Sequence, residues 1–179
     1  MKLQARFIAL GLAVAIFAAA CTGSSSGASA AASSDEDTGS TLDNPAPTGA
    51  FVMFDGSEAT FTDYAGTPLV VNWWASWCPS CVAEMSAAFR PAQEQLGAQV
   101  AFLGMNLQDE REDALRLVTA TGVLFDLAED PAGDLYLELG GLGMPFTIFI
   151  DAEGNVVEQH NGPLTEGQLI EMIDELLLS

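Results

Sequence analysis

The stretch Trp77-Cys78-Pro79-Ser80-Cys81 lies between two segments with different apolar patterns. The continuous apolar run at 69–74 predicts a buried strand, and residues 82–95 predict a helix. Two cysteines three positions apart at such a junction are typical of a dithiol–disulfide redox site. The sulfur of Cys78 would then lie near the helix N-terminus, where unpaired backbone N–H groups and the helix dipole stabilise a thiolate. Pro79 suits the first helical turn, because the N–H that it lacks would be unpaired there.

A structural disulfide is the alternative interpretation of this cysteine pair. A bridge between Cys78 and Cys81 closes a very short loop, so it would constrain the unfolded chain only a little. The spacing therefore favours redox chemistry over stabilisation.

The N-terminus has the plan of an export signal. Lys2 and Arg6 precede an apolar run at 7–20 that is short for a membrane span, so we predict a signal peptide at 1–20. The following Cys21 comes after small residues, as in the lipobox of bacterial lipoproteins, although Ala18 stands where that motif usually has Leu. We expect Cys21 to be lipidated, which gives the third cysteine a role.

An ordinary signal-peptidase site is the alternative at this position, since Ala18 and Ala20 also fit that pattern, and it would release a secreted soluble protein. Both interpretations place the domain outside the cytoplasm. Disulfides persist there, so Cys78 and Cys81 can cycle between two stable states.

Residues 21–48 predict a flexible tether, because they are rich in Ser, Ala and Gly and lack apolar periodicity. A coil of this length spans roughly 30 Å. On a lipid anchor, it would let a domain at 49–179 reach membrane-bound partners.

The chain is strongly acidic, with a formal net charge of −20. Lys2 is its only lysine, and removal of 1–20 also removes Arg6, which leaves −22. We therefore expect no binding to nucleic acid or to anionic lipid headgroups. Solubility is our interpretation of this acidity, and electrostatic steering toward a basic partner is the alternative.

Residues 49–179 predict one α/β domain with a central mixed β-sheet, helices on both faces and an N-terminal β-hairpin at 51–62. The capping box of Thr165 and Gln168 starts the last helix, Asp130 is a candidate cap for the third, and Pro91 bends or ends the first. The predicted strands after the hairpin are 69–74, 100–105, 123–125, 146–150 and 156–160, and the predicted helices are 82–95, 110–121, 131–139 and 166–178.

Several motifs together resemble the TlpA/ResA/DsbE group of thioredoxin-like proteins. They are the Trp77–Cys81 stretch, Glu84, the Gly143-Met144-Pro145 segment before a strand, and residues 162–165 before the last helix. The resemblance covers 49–179 and implies a thioredoxin-like fold.

The resemblance also implies roles for these residues. Cys78 is the attacking thiol and the more exposed of the two, Cys81 is the more buried resolving thiol, and they exchange disulfides with a substrate through a mixed disulfide. Met144 and Pro145 correspond to a cis-proline segment that faces the cysteines and pairs with substrate backbone. A trans proline at the start of a strand is the alternative without the resemblance.

Glu84 is the candidate proton shuttle for the cysteines. It lies one turn beyond Cys81 in the predicted helix, and a carboxylate near the sulfurs can exchange protons with a thiol and raise its pKa. The alternative is a solvated acid near a helix start. Asn72 strengthens the catalytic interpretation, because it stands where thioredoxins usually carry a buried Asp.

Other residues receive more modest interpretations. We expect Trp77 to form an apolar rim that contacts substrate, and Trp73 and Trp74 to lie in the core. Phe146 departs from the small or hydroxyl residue that commonly follows this proline. His160, the only histidine, is interpreted as a residue on the surface of a strand.

These patterns predict an extracytoplasmic thiol–disulfide oxidoreductase that reduces exported proteins, with a role of the cytochrome c maturation type. A membrane electron-transfer protein would recharge it. We expect a monomer without a dissociable cofactor or a metal, whose only redox group is the Cys78–Cys81 disulfide.

Other functions stay open at this point. The nearest alternative is a disulfide-forming oxidase on the same fold. A copper(I) metallochaperone would use the thiolates of Cys78 and Cys81, but related chaperones have a wider cysteine spacing and a distal His. A peroxiredoxin would need Thr or Ser where this chain has Ala75.

Overall fold

The computed structural model describes residues 44–179. The predictions for the signal peptide, for Cys21 and for most of the tether lie outside the described residues. Within 44–179, no helix is both long enough and apolar enough to cross a membrane.

A seven-stranded mixed sheet forms the centre of the domain, as predicted, in the order β2-β1-β5-β4-β3-β6-β7. The middle strand β3 is parallel to β4 and antiparallel to β6, and all six of its side chains are buried. The strands are β1 (Phe51–Met53), β2 (Glu58–Ala59), β3 (Leu69–Trp74), β4 (Ala101–Leu107), β5 (Asp126–Asp130), β6 (Phe146–Ile150) and β7 (Val156–Asn161).

Helices cover both faces of this sheet. Alternate residues of β3 point to opposite faces, so Val70 and Trp74 pack with the helices that follow the cysteines and with the last helix. Val71 and Trp73 pack on the other face, against Phe146. The helices are α1 (Pro79–Glu84), α2 (Arg90–Leu96), α3 (Arg111–Thr121), α4 (Asp134–Glu138) and α5 (Glu166–Leu177), with a 3₁₀ turn at Phe61–Tyr64.

The predicted helix at 82–95 is interrupted by a π-helical segment at Met85–Phe89, which joins α1 to α2. Pro91 lacks an N–H and cannot continue the regular α-helical ladder. The N–H of Arg90 instead donates to the carbonyl of Met85, five residues back. The buried face continues through this segment, since Met85 and Phe89 have no exposed surface.

The prediction of a strand at 123–125 was wrong, because the strand in this region is β5 (Asp126–Asp130). Its acidic residues disfavour a strand in isolation, but in the fold each has a partner. These contacts are Tyr64 Oη to Asp126 at 3.1 Å, Arg111 to Glu129 at 2.6 Å and Trp73 Nε1 to Asp130 at 3.0 Å.

The helix predicted at 131–139 is shorter, because Gly133 adopts a left-handed conformation with φ of 79° and α4 starts only at Asp134. Asp130 ends β5, yet its carboxylate accepts a hydrogen bond from the backbone N–H of Tyr136 at 2.8 Å. It therefore caps α4 from the end of the strand.

The chain packs on the domain from Asn44, which precedes the predicted start at residue 49. Asn44 Nδ2 donates to the carbonyl of Val156 at 3.2 Å, and the N–H of Ala46 donates to the carbonyl of Gly154 at 3.0 Å. The last residues assigned to the tether thus lie along the β6–β7 hairpin.

Candidate active site

Cys78 and Cys81 are joined by a disulfide with an S–S distance of 2.09 Å. Cys78 is the N-cap of α1, Pro79 occupies the first helical turn, and the sulfur of Cys78 accepts a hydrogen bond from the N–H of Cys81 at 3.2 Å. Cys81 is fully buried, whereas 5% of Cys78 is exposed. Cys78 is therefore the less buried of the two cysteines, and the helix start favours its thiolate.

The loop before Cys78 is fixed by the carboxylate of Asp109. Its oxygens accept hydrogen bonds from the N–H and Oγ of Ser76 at 2.6 and 2.7 Å, and from Asn106 Nδ2 at 3.0 Å. Burial alone would raise the pKa of Asp109, but the hydrogen bonds from Ser76, Asn106 and Glu110 together lower it below its usual value. Asp109 is therefore ionised at neutral pH and holds the loop firmly.

Trp77 is presented to solvent beside Cys78, with 57% of its surface exposed. Its indole Nε1 donates to the carbonyl of Gln108 at 3.0 Å, which fixes the orientation of the ring. Gln108 has a positive φ of 47°, a sparsely populated conformation for a residue other than glycine. The side chain of Gln108 is itself held by the carbonyl of Ala132.

The Met144–Pro145 peptide bond is cis, the geometry that the resemblance implied. Ser80, between the two cysteines, donates through Oγ to the carbonyl of Met144 at 3.4 Å. The N–H of Gly162 donates to the carbonyl of Pro145 at 2.9 Å. The segment is thus tied to the cysteine turn on one side and to the end of β7 on the other.

Phe146 turns away from this segment into the core. It is fully buried and packs on Trp73 and Tyr136, with ring centroids 5.3 and 5.6 Å apart. The bulky residue after the proline therefore belongs to the opposite face of the sheet from Asn72 and Thr147.

Glu84 is a buried carboxylate, with only 3% of its surface exposed. Its Oε1 accepts from the N–H of Leu164 at 2.7 Å, and its Oε2 accepts from Asn72 Nδ2 at 3.3 Å. Burial raises the pKa of Glu84 to about 7, although the bonds from Leu164 and Asn72 lower it in part. A carboxyl group with this pKa can both give and take a proton at neutral pH.

Asn72 connects this carboxylate to the neighbouring strand. Its Nδ2 also donates to Thr147 Oγ1 at 3.1 Å, across the β3–β6 pair, and both residues are fully buried. Its Oδ1 is buried without a hydrogen-bond partner. Asn72 thus supplies a neutral donor to Glu84, where a second carboxylate would repel it.

A groove of about 320 Å³ gives solvent a route to Glu84. It lies between α1 and the start of α5, and its lining includes Ser80, Ala83, Pro163 and Leu164. Protons can therefore reach the buried carboxylate without an opening of the core.

Two contacts at this site were not predicted from the sequence. The backbone of Leu164 meets Glu84 only because the chain returns after 80 residues, and no local pattern signals that contact. The sequence indicates the role of Asp109 only weakly, since an Asp after a strand and before a helix often accepts hydrogen bonds from backbone N–H groups.

His160 lies on β7, opposite Thr147 in the β6–β7 pair, and is partly exposed. Within residues 44–179, the structure brings together no group of three or more His, Cys, Asp or Glu side chains that could hold a metal ion.

A cysteine pair at a helix start, opposite a cis-proline on a mixed α/β sheet, defines a thiol–disulfide oxidoreductase with a thioredoxin-like fold. Residues 41–176 match the Redoxin family, and the chain belongs to that family.

Named relatives agree with this class. The chain is 33% identical over 138 residues to the thiol:disulfide interchange protein DsbE of Xylella fastidiosa, covering 75% of this chain and 68% of the relative. It is 33% identical over 126 residues to the thiol:disulfide interchange protein HelX of Rhodobacter capsulatus, covering 68% and 69%. The crystal structure of a thiol:disulfide interchange protein of the thioredoxin family from Chlorobium tepidum superposes with a TM-score of 0.66 at 22% identity. That superposition covers 75% of this chain and 96% of the other, and it supports the fold.

Glu84 predicts a specific pH dependence of stability in the oxidised protein. Its pKa rises from 4.5 to about 7 on folding, so the folded state holds the proton more tightly than the unfolded state. The resulting stabilisation is complete below pH 4.5 and is lost as the pH rises through 7, with a total of roughly 3 kcal/mol. When the free energy of unfolding is measured in urea, the Glu84→Gln protein should not show this decline with rising pH. Equal pH slopes for the two proteins would contradict the burial of an ionisable Glu84.

The hydrogen bonds of Asp109 predict that this residue keeps the loop carrying Trp77 well ordered. Asp109→Ala removes every acceptor for Ser76, so we expect a loss of about 1–2 kcal/mol in the free energy of unfolding and greater mobility of Trp77. Acrylamide quenching reports this change, because Trp73 and Trp74 are buried. Glu112→Gln is the matched control, since Glu112 lies on α3 with 89% of its side chain exposed. Equal quenching of the Asp109→Ala and Glu112→Gln proteins would refute the role of Asp109.

Proposed function

We propose that this oxidoreductase is an extracytoplasmic reductase of disulfides in exported proteins. The observation that carries the proposal is the juxtaposition of a cysteine sulfur at a helix start with a buried carboxyl group, whose pKa is about 7, in the same helix. The relatives named thiol:disulfide interchange protein support the same reaction class.

The reaction begins with the reduced pair. The thiolate of Cys78 attacks one sulfur of a substrate disulfide, forms a mixed disulfide and releases the other substrate sulfur as a thiolate that takes up a proton. Cys81 then loses its proton and attacks the sulfur of Cys78. The Cys78–Cys81 disulfide forms, the second substrate thiol leaves, and two electrons have passed to the substrate.

Glu84 would take the proton from Cys81 in the second step. Cys81 is fully buried, and its deprotonation in apolar surroundings is costly without a base. Glu84 lies three residues further along the chain and opens onto the solvent groove, so it can pass the proton on. At pH 7 both of its protonation states are populated, which suits either direction of transfer.

The substrate would lie against Trp77 and the Met144–Pro145 segment. Met144 immediately precedes the cis-proline and contacts Ser80 through its carbonyl, so its backbone is close to the cysteine turn. An extended substrate segment can add to such backbone as a short strand. The electrons are carried by the cysteine pair itself, without a dissociable cofactor.

The cellular setting is part of the proposal. The signal at 1–20 would direct export, and after its removal a lipid on Cys21 would hold a monomeric domain at the outer face of the membrane. The part of 21–48 that precedes Asn44 would be its tether. A membrane electron-transfer protein would return two electrons to the Cys78–Cys81 disulfide after each turnover. A role of the cytochrome c maturation type follows the resemblance to the TlpA/ResA/DsbE group.

Partner trapping tests the reaction and its intermediate. Cys81→Ala removes the resolving thiol, so it should accumulate mixed disulfides between Cys78 and exported proteins that separate on reduction. Cys78→Ala is the control and should trap none. A reduction potential near −270 mV would support the reductase, and one near −120 mV would favour the oxidase.

Glu84→Gln tests the proton relay in single-turnover reduction of a small disulfide. We expect a rate reduction of at least about 10-fold near pH 7, and loss of the inflection at that pH, because the amide cannot accept the proton. Glu94→Gln changes an exposed acid on α2 and should behave as wild type. Rates of Glu84→Gln that match the wild type across this pH range would eliminate the relay.

A further inference from the structure

Leu142 is a large apolar side chain in the loop that precedes the cis-proline, with 89% of its surface exposed to solvent. It lies two residues before Met144, whose carbonyl contacts Ser80 in the cysteine turn. Its neighbours at 140, 141 and 143 are glycines, so no adjacent side chain covers the leucine at this point.

The loop that carries Leu142 is held by the side chain of Asn161. Its Oδ1 accepts hydrogen bonds from the N–H groups of Leu142 and Gly143 at 2.7 and 3.2 Å, and its Nδ2 donates to the carbonyl of Gly140 at 3.3 Å. One amide side chain at the end of β7 thus bonds to three of the four residues at 140–143.

The other side of the loop packs on Tyr136. Gly141 is buried, and a Cβ at that position would overlap the ring of Tyr136. The ring itself packs against Phe146. Leu142 is therefore exposed on a backbone that Asn161 and Tyr136 hold in place.

We propose that Leu142 is a specificity-determining contact for an apolar side chain beside the reacting cysteine of a polypeptide disulfide, and that Asn161 is its positioning residue. The inference rests on the proposed function. The side chain that contacts Leu142 belongs to the substrate, because a substrate sulfur bonded to Cys78 brings the substrate residues beside it onto the surface around the cysteine turn. Trp77 and Leu142 are the large exposed apolar side chains of the two loops that adjoin this turn.

A double-mutant cycle tests the contact directly. The probes are two short peptides, each closed by an intramolecular disulfide, that differ only by Leu or Ser beside one cysteine. With the reduced wild type, the Leu peptide should react about 5- to 10-fold faster, as expected for burial of one leucine-sized contact. With Leu142→Ser this preference should fall to about 2-fold or less.

Leu124→Ser is the matched control. Leu124 is also a highly exposed leucine, at 62%, but it lies near α2 and β5, away from the cysteines. It should keep the full preference for the Leu peptide. An unchanged preference in Leu142→Ser, or an equal loss in both variants, would overturn the inference.

Asn161 is tested by graded replacement. Asn161→Ala should lose most of the peptide preference, whereas Asn161→Asp should retain much of it, because a carboxylate still accepts from Leu142 and Gly143. A merely structural role would lower the melting temperature of the Ala variant without changing the preference between peptides.

Bis(2-hydroxyethyl) disulfide separates this inference from the proposed function. It carries no flanking side chains, so every Leu142 and Asn161 variant should reduce it at about the wild-type rate. If the wild type fails to reduce it, the proposed function fails. If it is reduced normally while the peptides show no coupling to Leu142, only the specificity contact is refuted.

Discussion

The hydrogen bond between the Glu84 carboxylate and the N–H of Leu164 joins the parts of this site that are most distant in sequence. At 2.7 Å it ties α1 to the chain segment that starts α5, and the second oxygen is held by Asn72 on the central strand. Two donors are too few to offset the burial of a charge completely. The pKa therefore remains near neutrality, and the same contacts that position the carboxyl group leave it able to exchange a proton.

The two loops beside the disulfide are fixed in the same way. Asp109 accepts from the backbone and side chain of Ser76 on one side, and Asn161 accepts from two backbone N–H groups of the Leu142 loop on the other. Each polar side chain follows or ends a strand of the sheet. The rigid sheet thus sets the position of both irregular segments, a common arrangement for a binding surface on loops.

Local patterns in the sequence predicted much of this molecule. The cysteine turn, the strands at 69–74 and 146–150, and the capping box of Thr165 and Gln168 all depend on neighbouring residues, and each was found where predicted. The strand β5 was missed because its acids acquire partners only in the folded chain. The contacts of Asp109, Asn161 and Leu164 were not predicted for a similar reason, since they join residues 33, 19 and 80 positions apart.

The π-helical segment at Met85–Phe89 makes the length of this helix a constraint on the redox centre. An extra residue per turn rotates everything beyond it by about 100° relative to an ordinary α-helix. Glu84 lies before that rotation and faces Asn72, while Phe89 and Ala92 lie within and after it and still face the core. Deletion of a single residue between Glu84 and Pro91 would rotate α2 relative to α1, so that their buried faces would no longer point to the same side. Insertions and deletions should therefore be tolerated much less here than point substitutions.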